Sequence, residues 1–388
     1  MKAVTITDKI FWVGAVDWDL RNFHGYLTQK GSTYNSYLVI DEKVTLIDTV
    51  KISFFPEMLE RIKSVIDPSK IDYIISNHTE MDHSGSIPEI LKLCPNAQII
   101  CSPNGVKGLK EHFKKEWNFK EVISGDILNT GKYSYNFILT PMIHWPDNMV
   151  SYLPEEKILF SNDAFGQHLA TSEKFDDEYY YEIIMNEAKK YYANIVLPYS
   201  GQVQKALADV QGLDIKIIAP SHGIMWRKHI PEIIKEYKTW SENIISKKAL
   251  IIYDTMWNST KVIANGLQKV FDENGYQTKL LNLQFNHMSD IMTDVIDAEY
   301  ICVGSPTLNN NMLPTVAAFL TYLKGLAPKK RKGLAFGSYG WGGQSVELIN
   351  ETLSSSGFIM LEKIKMKYIP DELKLEEELK KLDMVLKQ

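Results

Sequence analysis

Between residues 37 and 162 short apolar runs alternate with polar corners rich in Gly and Asn. "YLVI", "KVTLIDTV", "IDYIIS", "AQIICS", "KYSYNFILTPM", "MVSYLP" and "KILFSN" each fit a strand, bounded by turn residues. "FPEMLERIKSVI" and "IPEILKLC" instead carry apolar residues at helical spacing. From about residue 178 the pattern turns helical, through "DEYYYEIIMNEAKKYYANI" and "GQVQKALADVQGL". A strand, "IKIIAPSHG", and a long amphipathic stretch, "IPEIIKEYKTWSENIISKK", follow. Mixed strands and helices of this kind predict a layered α/β architecture.

Beyond "SKK" the texture changes. "ALIIYD", "TKLLNL", "YICVGSP", "KGLAFGSYG" and "FIMLEKIKMKYI" are nearly continuous apolar runs, as strands buried on both faces require. A helical stretch follows each of them, the last being "PDELKLEEELKKLDMVLKQ". Fivefold strand–helix alternation predicts a doubly wound, five-stranded parallel sheet. The change of texture puts a domain boundary near Lys247, dividing the chain into residues 1–247 and 248–388.

Composition narrows the function classes. Apolar residues make up 45 % and charged residues 23 % of the 388, the balance of a globular protein. A net charge of −5 gives no reason to expect nucleic acid or an anionic membrane as partner. No apolar run is long enough for a bilayer, and the opening "MKAVTITDKIFWVGAVDWD" lacks a secretory core, so the expected location is the cytoplasm. Cys94, Cys101 and Cys302 are scattered, without a CxxC pair. They read as small buried hydrophobes, and any one-electron carrier must then be another protein.

Candidate chemistry concentrates in "IISNHTEMDHSGSIP", where His78, Glu80, Asp82 and His83 crowd together just after a strand. A lone His or Asp at a strand end is commonly a cap or turn residue. Four ionisable groups packed together seldom serve a structural role, and they lend weight to other groups at strand ends. These are His144 in "TPMIHWPDNM", Asp163 after "KILFSN" and His222 in "IIAPSHGIMW". Loops from one edge of layered sheets can bring all seven into one pocket.

"HTEMDHSG" followed by "HWPD", "SNDAFG" and "PSHG" resembles the metallo-β-lactamase-like domain of flavodiiron proteins. The resemblance implies an αββα sandwich for the N-terminal domain. Hydrolases of the wider fold usually carry H-x-H-x-D-H and bind zinc, whereas here Glu80 stands in place of the second histidine. A carboxylate-rich nitrogen and oxygen donor set suits redox-active iron better than zinc. By resemblance, His78, Glu80 and His144 hold one iron, Asp82, His83 and His222 hold the other, and Asp163 bridges them. His24 resembles a histidine that in this family bonds a bound diatomic or restricts its access. His168 and either Tyr191 or Tyr192 are placed near the same pocket.

The C-terminal domain has its own constellation. "DTMWNST" lies between a first strand and its helix, where backbone amides and the helix dipole favour a phosphate. Thr255, Asn258, Ser259 and Thr260 are the groups to hold it, flanked by Met256 and Trp257. Neither a Walker A motif nor G-x-G-x-x-G is present, which disfavours a nucleotide triphosphate or dinucleotide. "GSPTLNNNMLP" offers Ser305, Pro306, Thr307, Asn309 and Asn310 after the third strand. "GSYGWGG" offers Ser338, Tyr339, Gly340, Trp341 and Gly343 after the fourth, with flat aromatics suited to an isoalloxazine. Three such loops at one sheet edge resemble flavodoxin, which implies FMN.

A reduced flavin and a diferrous pair together hold the four electrons that take O2 to water, and two suffice to join two NO into N2O. The resemblance implies both reactions, a rubredoxin or similar carrier as electron donor, and a head-to-tail homodimer or a dimer of dimers. The rival reading is a zinc metallohydrolase with a flavodoxin-like accessory domain. No single residue decides between O2 and NO; His24 and the Asp147–Asn148 turn are the positions that bear on it.

Overall fold

In the computed structural model, which describes residues 1–387, the chain divides into two compact units. The first comprises residues 1–191 and 201–238, the second residues 192–200 and 239–388.

Two large sheets, with two small two-stranded ones, form the first unit. A seven-stranded sheet runs Val4–Thr7, Ile10–Trp12, Tyr37–Val39, Val44–Ile47, Ile71–Ile75, Gln98–Cys101 and Phe119–Glu121 in spatial order. A five-stranded sheet runs Ile127–Asn129, Ser134–Leu139, Met149–Leu153, Ile158–Asn162 and Ile217–Pro220. Ile75 lies between Ile47 and Ile100 across its two parallel ladders. All three pack with Phe137, Met149 and Phe160 of the second sheet. Adjacent residues point the other way: Leu46, Ile74 and Ile99 pack on Met58, Ile62, Ile90 and Leu109 of the helices. Period-two alternation thus gives each strand one face for the inter-sheet core and one for a helical layer, the αββα sandwich. Burying each such Leu, Ile or Phe stabilises the fold by about 1.5–3 kcal/mol.

In the second unit Ser246–Tyr253, Ala298–Gly304 and Lys332–Tyr339 are parallel neighbours, with Gln277–Asn282 on one side. The fifth position is shared by two short strands, Ile359–Met360 and Ile364–Lys367, both paired with Lys332–Tyr339. The run "FIMLEKIKMKYI" is therefore one position in the sheet but two strands. Residues 230–248 likewise do not form one helix: it ends at Ser241, and Ser246 already belongs to the first strand of this unit. Asn243, with φ of 51°, makes the turn between them.

All three cysteines are buried thiols. Among the described residues no helix is long and apolar enough to cross a membrane.

Candidate metal and flavin sites

Four loops of the first unit converge. Glu80 precedes the short helix Met81–Ser84, which carries Asp82 and His83. His78 follows the strand Ile71–Ile75, Asp163 directly follows Ile158–Asn162, and His222 follows Ile217–Pro220. A buried amide network ties the residues just before these groups. Asn77 donates its backbone and side-chain N–H to Asp48, at 2.8 and 3.1 Å. Asn162 donates to Ser221 Oγ at 3.0 Å and accepts from Asn148 at 3.2 Å. The loops are thereby fixed to one another before any ligand is considered.

The seven side chains form two sets. In one, His144 Nε2 stands 3.3 Å from Glu80 Oε2, and His78 Nε2 stands 3.4 Å from the same oxygen. In the other, His222 Nε2 lies 3.2 Å from Asp82 Oδ2 and His83 Nε2 lies 3.4 Å from Asp82 Oδ1. Asp163 turns one oxygen to each. Its Oδ2 is 3.4 Å from His144 and 3.6 Å from His78, while Oδ1 is 3.1 Å from His83 and 3.5 Å from His222.

Yet His78 Nε2, His83 Nε2 and both oxygens of Asp82 and Asp163 are buried without a hydrogen bond. Orphaned buried groups on this scale are costly and call for an explanation. A cation supplies one. Donors bonded at about 2.1 Å to one ion, at roughly 90–110° to each other, lie about 3.0–3.4 Å apart. The donor set fits two such ions with a shared carboxylate.

Two of the ligand histidines have Nδ1 engaged, whereas Nδ1 of His83 is buried without a hydrogen bond. His78 Nδ1 donates to Asp147 Oδ2 at 2.9 Å, and that oxygen also accepts the Thr79 N–H at 2.7 Å. His222 Nδ1 donates to the Thr33 carbonyl at 2.7 Å. Each bond fixes the tautomer that turns Nε2 toward the cluster. Burial would depress the histidines, but carboxylate partners outweigh it. Asp147 and Glu80 hold His78 up at about 10, and Asp82 and Asp163 hold His83 at about 9. Asp163 and Glu80 likewise hold His144 at about 9. Burial opposes ionisation of Asp163, yet His83 and His144 keep its carboxyl well below the usual range.

His24 donates Nε2–H to Glu80 Oε1 at 3.0 Å, leaving Oε2 to face the cluster. His168 is buried, and its ring lies 4.9 Å from that of His222 and 5.1 Å from that of Tyr191. Burial, then the neighbouring His222, pushes its pKa well below the ordinary value. Tyr191 belongs to this pocket. Tyr192 instead meets Ser200 Oγ at 3.3 Å and the Trp240 ring, in the other unit. Asp147 and Asn148 both serve the scaffold, a role their turn-like sequence did not announce. His229 is only partly exposed and bonds Asp176 at 3.0 Å.

In the second unit, the loops after three adjacent parallel strands border a cavity of about 280 Å³. Met256, Trp257, Ser259, Pro306, Thr307, Ser338, Tyr339 and Gly340 line it, with Tyr368 and Ile369 after the last strand. Tyr368 and Ile369 were not singled out from sequence; their position after the fifth-position strand was the available signal. Thr255, Asn258, Thr260, Ser305, Asn309, Asn310, Trp341 and Gly343 do not line it. Ser305 is turned inward, accepting from Leu313 N at 2.9 Å, and Thr260 Oγ1 meets Ser338 Oγ at 3.1 Å. Asn258 adopts φ of 66° just before the helix Ser259–Glu273. Thr255 Oγ1 is buried without a hydrogen bond beside that helix N-terminus, which fits a missing anionic acceptor.

Comparison with known proteins follows the same division. Residues 33–223 match the model of the ODP family beta lactamase, and residues 251–381 match that of flavodoxin. The chain is 47 % identical over 358 residues to a nitric oxide reductase of Moorella thermoacetica, covering 91 % of this chain and 90 % of the relative. Rubredoxin oxygen:oxidoreductase from Desulfovibrio gigas superposes with a TM-score of 0.96 at 41 % identity, over 100 % of this chain and 99 % of that one. The flavodiiron protein of Giardia intestinalis gives 0.95 at 35 % identity, over 100 % and 98 %.

Proposed function

Since this chain belongs to the flavodiiron proteins, we propose that it reduces O2 to water, NO to N2O, or both, at two irons fed by FMN. It is an oxidoreductase. The observation that carries the reading is the pair of buried, orphaned donor sets that share Asp163. When bound, the flavin supplies two electrons and the irons store two more and bind the gas.

The chain's own residues do the rest. His78, Glu80 and His144 would hold one ion and Asp82, His83 and His222 the other, with one oxygen of Asp163 turned toward each set. Asp147 and the Thr33 carbonyl keep protons on Nδ1 of His78 and His222, so that Nε2 faces the ions. His24 covers Glu80 from the solvent side and orients its carboxylate. Phe23, Tyr26 and Tyr191 surround His168 with rings, excluding water from the floor of the pocket. Thr255 and the helix N-terminus at Ser259 would receive the flavin phosphate, and Tyr339 and Trp257, which line the cavity, would border its ring.

Rubredoxin or a similar carrier delivers the electrons, since the buried thiols at 94, 101 and 302 supply no redox centre of their own. We place the enzyme in the cytoplasm, where such thiols stay reduced. A head-to-tail homodimer, or a dimer of dimers, presents one protomer's flavin to its partner's metal pair. Exposed aromatics support this: Trp257 and Trp341 are 88 % and 91 % exposed on the flavin loops. Metal and flavin analysis of the purified protein, with rubredoxin-driven gas uptake, tests the assignment. Iron, FMN and uptake are expected; zinc with hydrolytic activity and no uptake would reverse it.

A further inference from the structure

We propose that a dry apolar cavity behind the metal loops is a binding site for the diatomic substrate, a store from which gas reaches the donor cluster. The proposal rests on the gas-reductase reading above and adds a second place where the gas binds.

The cavity lies between the helix Ser200–Val210 and the outer face of the five-stranded sheet and measures about 30 Å³. A single water needs about 10–15 Å³ on this measure, so there is room for one diatomic molecule. Its character is set by aliphatic side chains: Val150 and Leu159 from the sheet, Val203 and Leu207 from the helix. Of the three hydroxyl side chains that line it, Thr140, Ser161 and Tyr237, the last two are engaged elsewhere. Ser161 Oγ donates to the Ala164 carbonyl at 2.7 Å, and Tyr237 Oη accepts the Phe165 N–H at 2.7 Å. Water entering here would find few free partners, and apolar cavities of this kind stay dry while accepting nonpolar guests. O2 and NO dissolve better in hydrocarbon than in water and suit such a site.

Position gives the cavity its use. Ile143 and Ala164 line it, and they are the chain neighbours of His144 and Asp163. On the opposite side Leu207 and Ala206 are only half-buried, so the cavity reaches from beneath the surface to the backs of two donor residues. A gas molecule held here lies against the two loops that carry His144 and Asp163. A surface groove for a polar substrate would not be lined in this way.

The test begins with xenon, a nonpolar probe of similar size, applied under pressure to crystals of the iron- and FMN-loaded enzyme. One xenon atom between Val203 and Phe165 is expected; its absence there overturns the site. The variant Val203→Phe fills the space. It should lose the xenon and raise KM for the gas on the order of threefold or more, with kcat little changed, the pattern of lost substrate binding. Leu207→Phe, at the half-buried rim, should do the same and covers the case in which Val203→Phe fails to fold. An unchanged KM in a xenon-free variant with full iron and FMN would refute the store. Xenon bound at this position in an enzyme that turns over neither gas would strike the reductase reading and this assignment with it.

Discussion

Replacing Asp147 by asparagine should weaken one metal position and spare the other. The carboxylate touches only one donor, His78, through the 2.9 Å bond to Nδ1, while its second bond goes to the Thr79 N–H. Asparagine keeps the volume but not the charge. If its carbonyl stays with Thr79, His78 loses the acceptor that fixes its tautomer and makes Nε2 a better donor. Removing a partner of this kind weakens metal binding by about 10–100-fold, or roughly 1.4–2.8 kcal/mol. The set Asp82, His83 and His222 has no contact with Asp147 and keeps its affinity. The assay is an anaerobic titration of chelator-stripped protein with Co(II), whose absorption reports each site as it fills. The native protein should bind two equivalents tightly; Asp147→Asn should bind one tightly and the second 10–100-fold more weakly. Two unaltered equivalents, or two equally weakened ones, would refute the assignment of Asp147 to a single set.

Three further outcomes are expected. Asp163→Asn removes charge from the one carboxylate that faces both sets, so metal content should fall below one ion per chain, as elemental analysis would show. Thr255→Ala removes a buried hydroxyl that lacks an internal partner; fluorescence titration should find FMN about 13–160-fold weaker, the loss of about 1.5–3 kcal/mol expected for one hydrogen bond to a charged group. Lys174, buried over the Trp12 ring and repelled by Arg61, has its pKa lowered to about 8. Its folded form binds the proton more weakly than the unfolded chain, so stability rises with pH between about 8 and 10.5, by at most about 3.4 kcal/mol. Urea unfolding should show that slope in the native protein and a flatter one in Lys174→Met; parallel slopes would discount the burial of charge.

What could be read from sequence was whatever depends on residue type at short range. The donors in "HTEMDH" stand out because four metal-binding side chains fall within six positions, and the strand runs on either side locate them at a sheet edge. His144, Asp163 and His222 follow from that block only because each lies in a loop that follows a strand. Pairings across long separations were not legible. Asp147 lies 69 residues from His78, and nothing local distinguishes it from a turn aspartate. Tyr191 and Tyr192 are adjacent and identical in type. The α-helix Tyr181–Tyr191 runs on there as a π-helical turn, Tyr192–Val196, and successive helical positions point about 100° apart, so one ring meets His168 and the other Trp240. Residues 192–200 belong to the second unit, a crossing that no composition shift marks. Several flavin-loop residues, Ser305 and Thr260 among them, share the loops' polar character but spend their hydroxyls on the scaffold.

The most direct test of the central claim is a rapid-mixing experiment under anaerobic conditions. Fully reduced protein of known iron and FMN content is mixed with O2 or NO, and flavin absorbance is followed alongside gas consumption and N2O. The account predicts flavin reoxidation by at least one gas, with four electrons per O2 or two per N2O, and its loss when iron is withheld. Reoxidation at the same rate without iron, or none with either gas in the fully loaded protein, would contradict it.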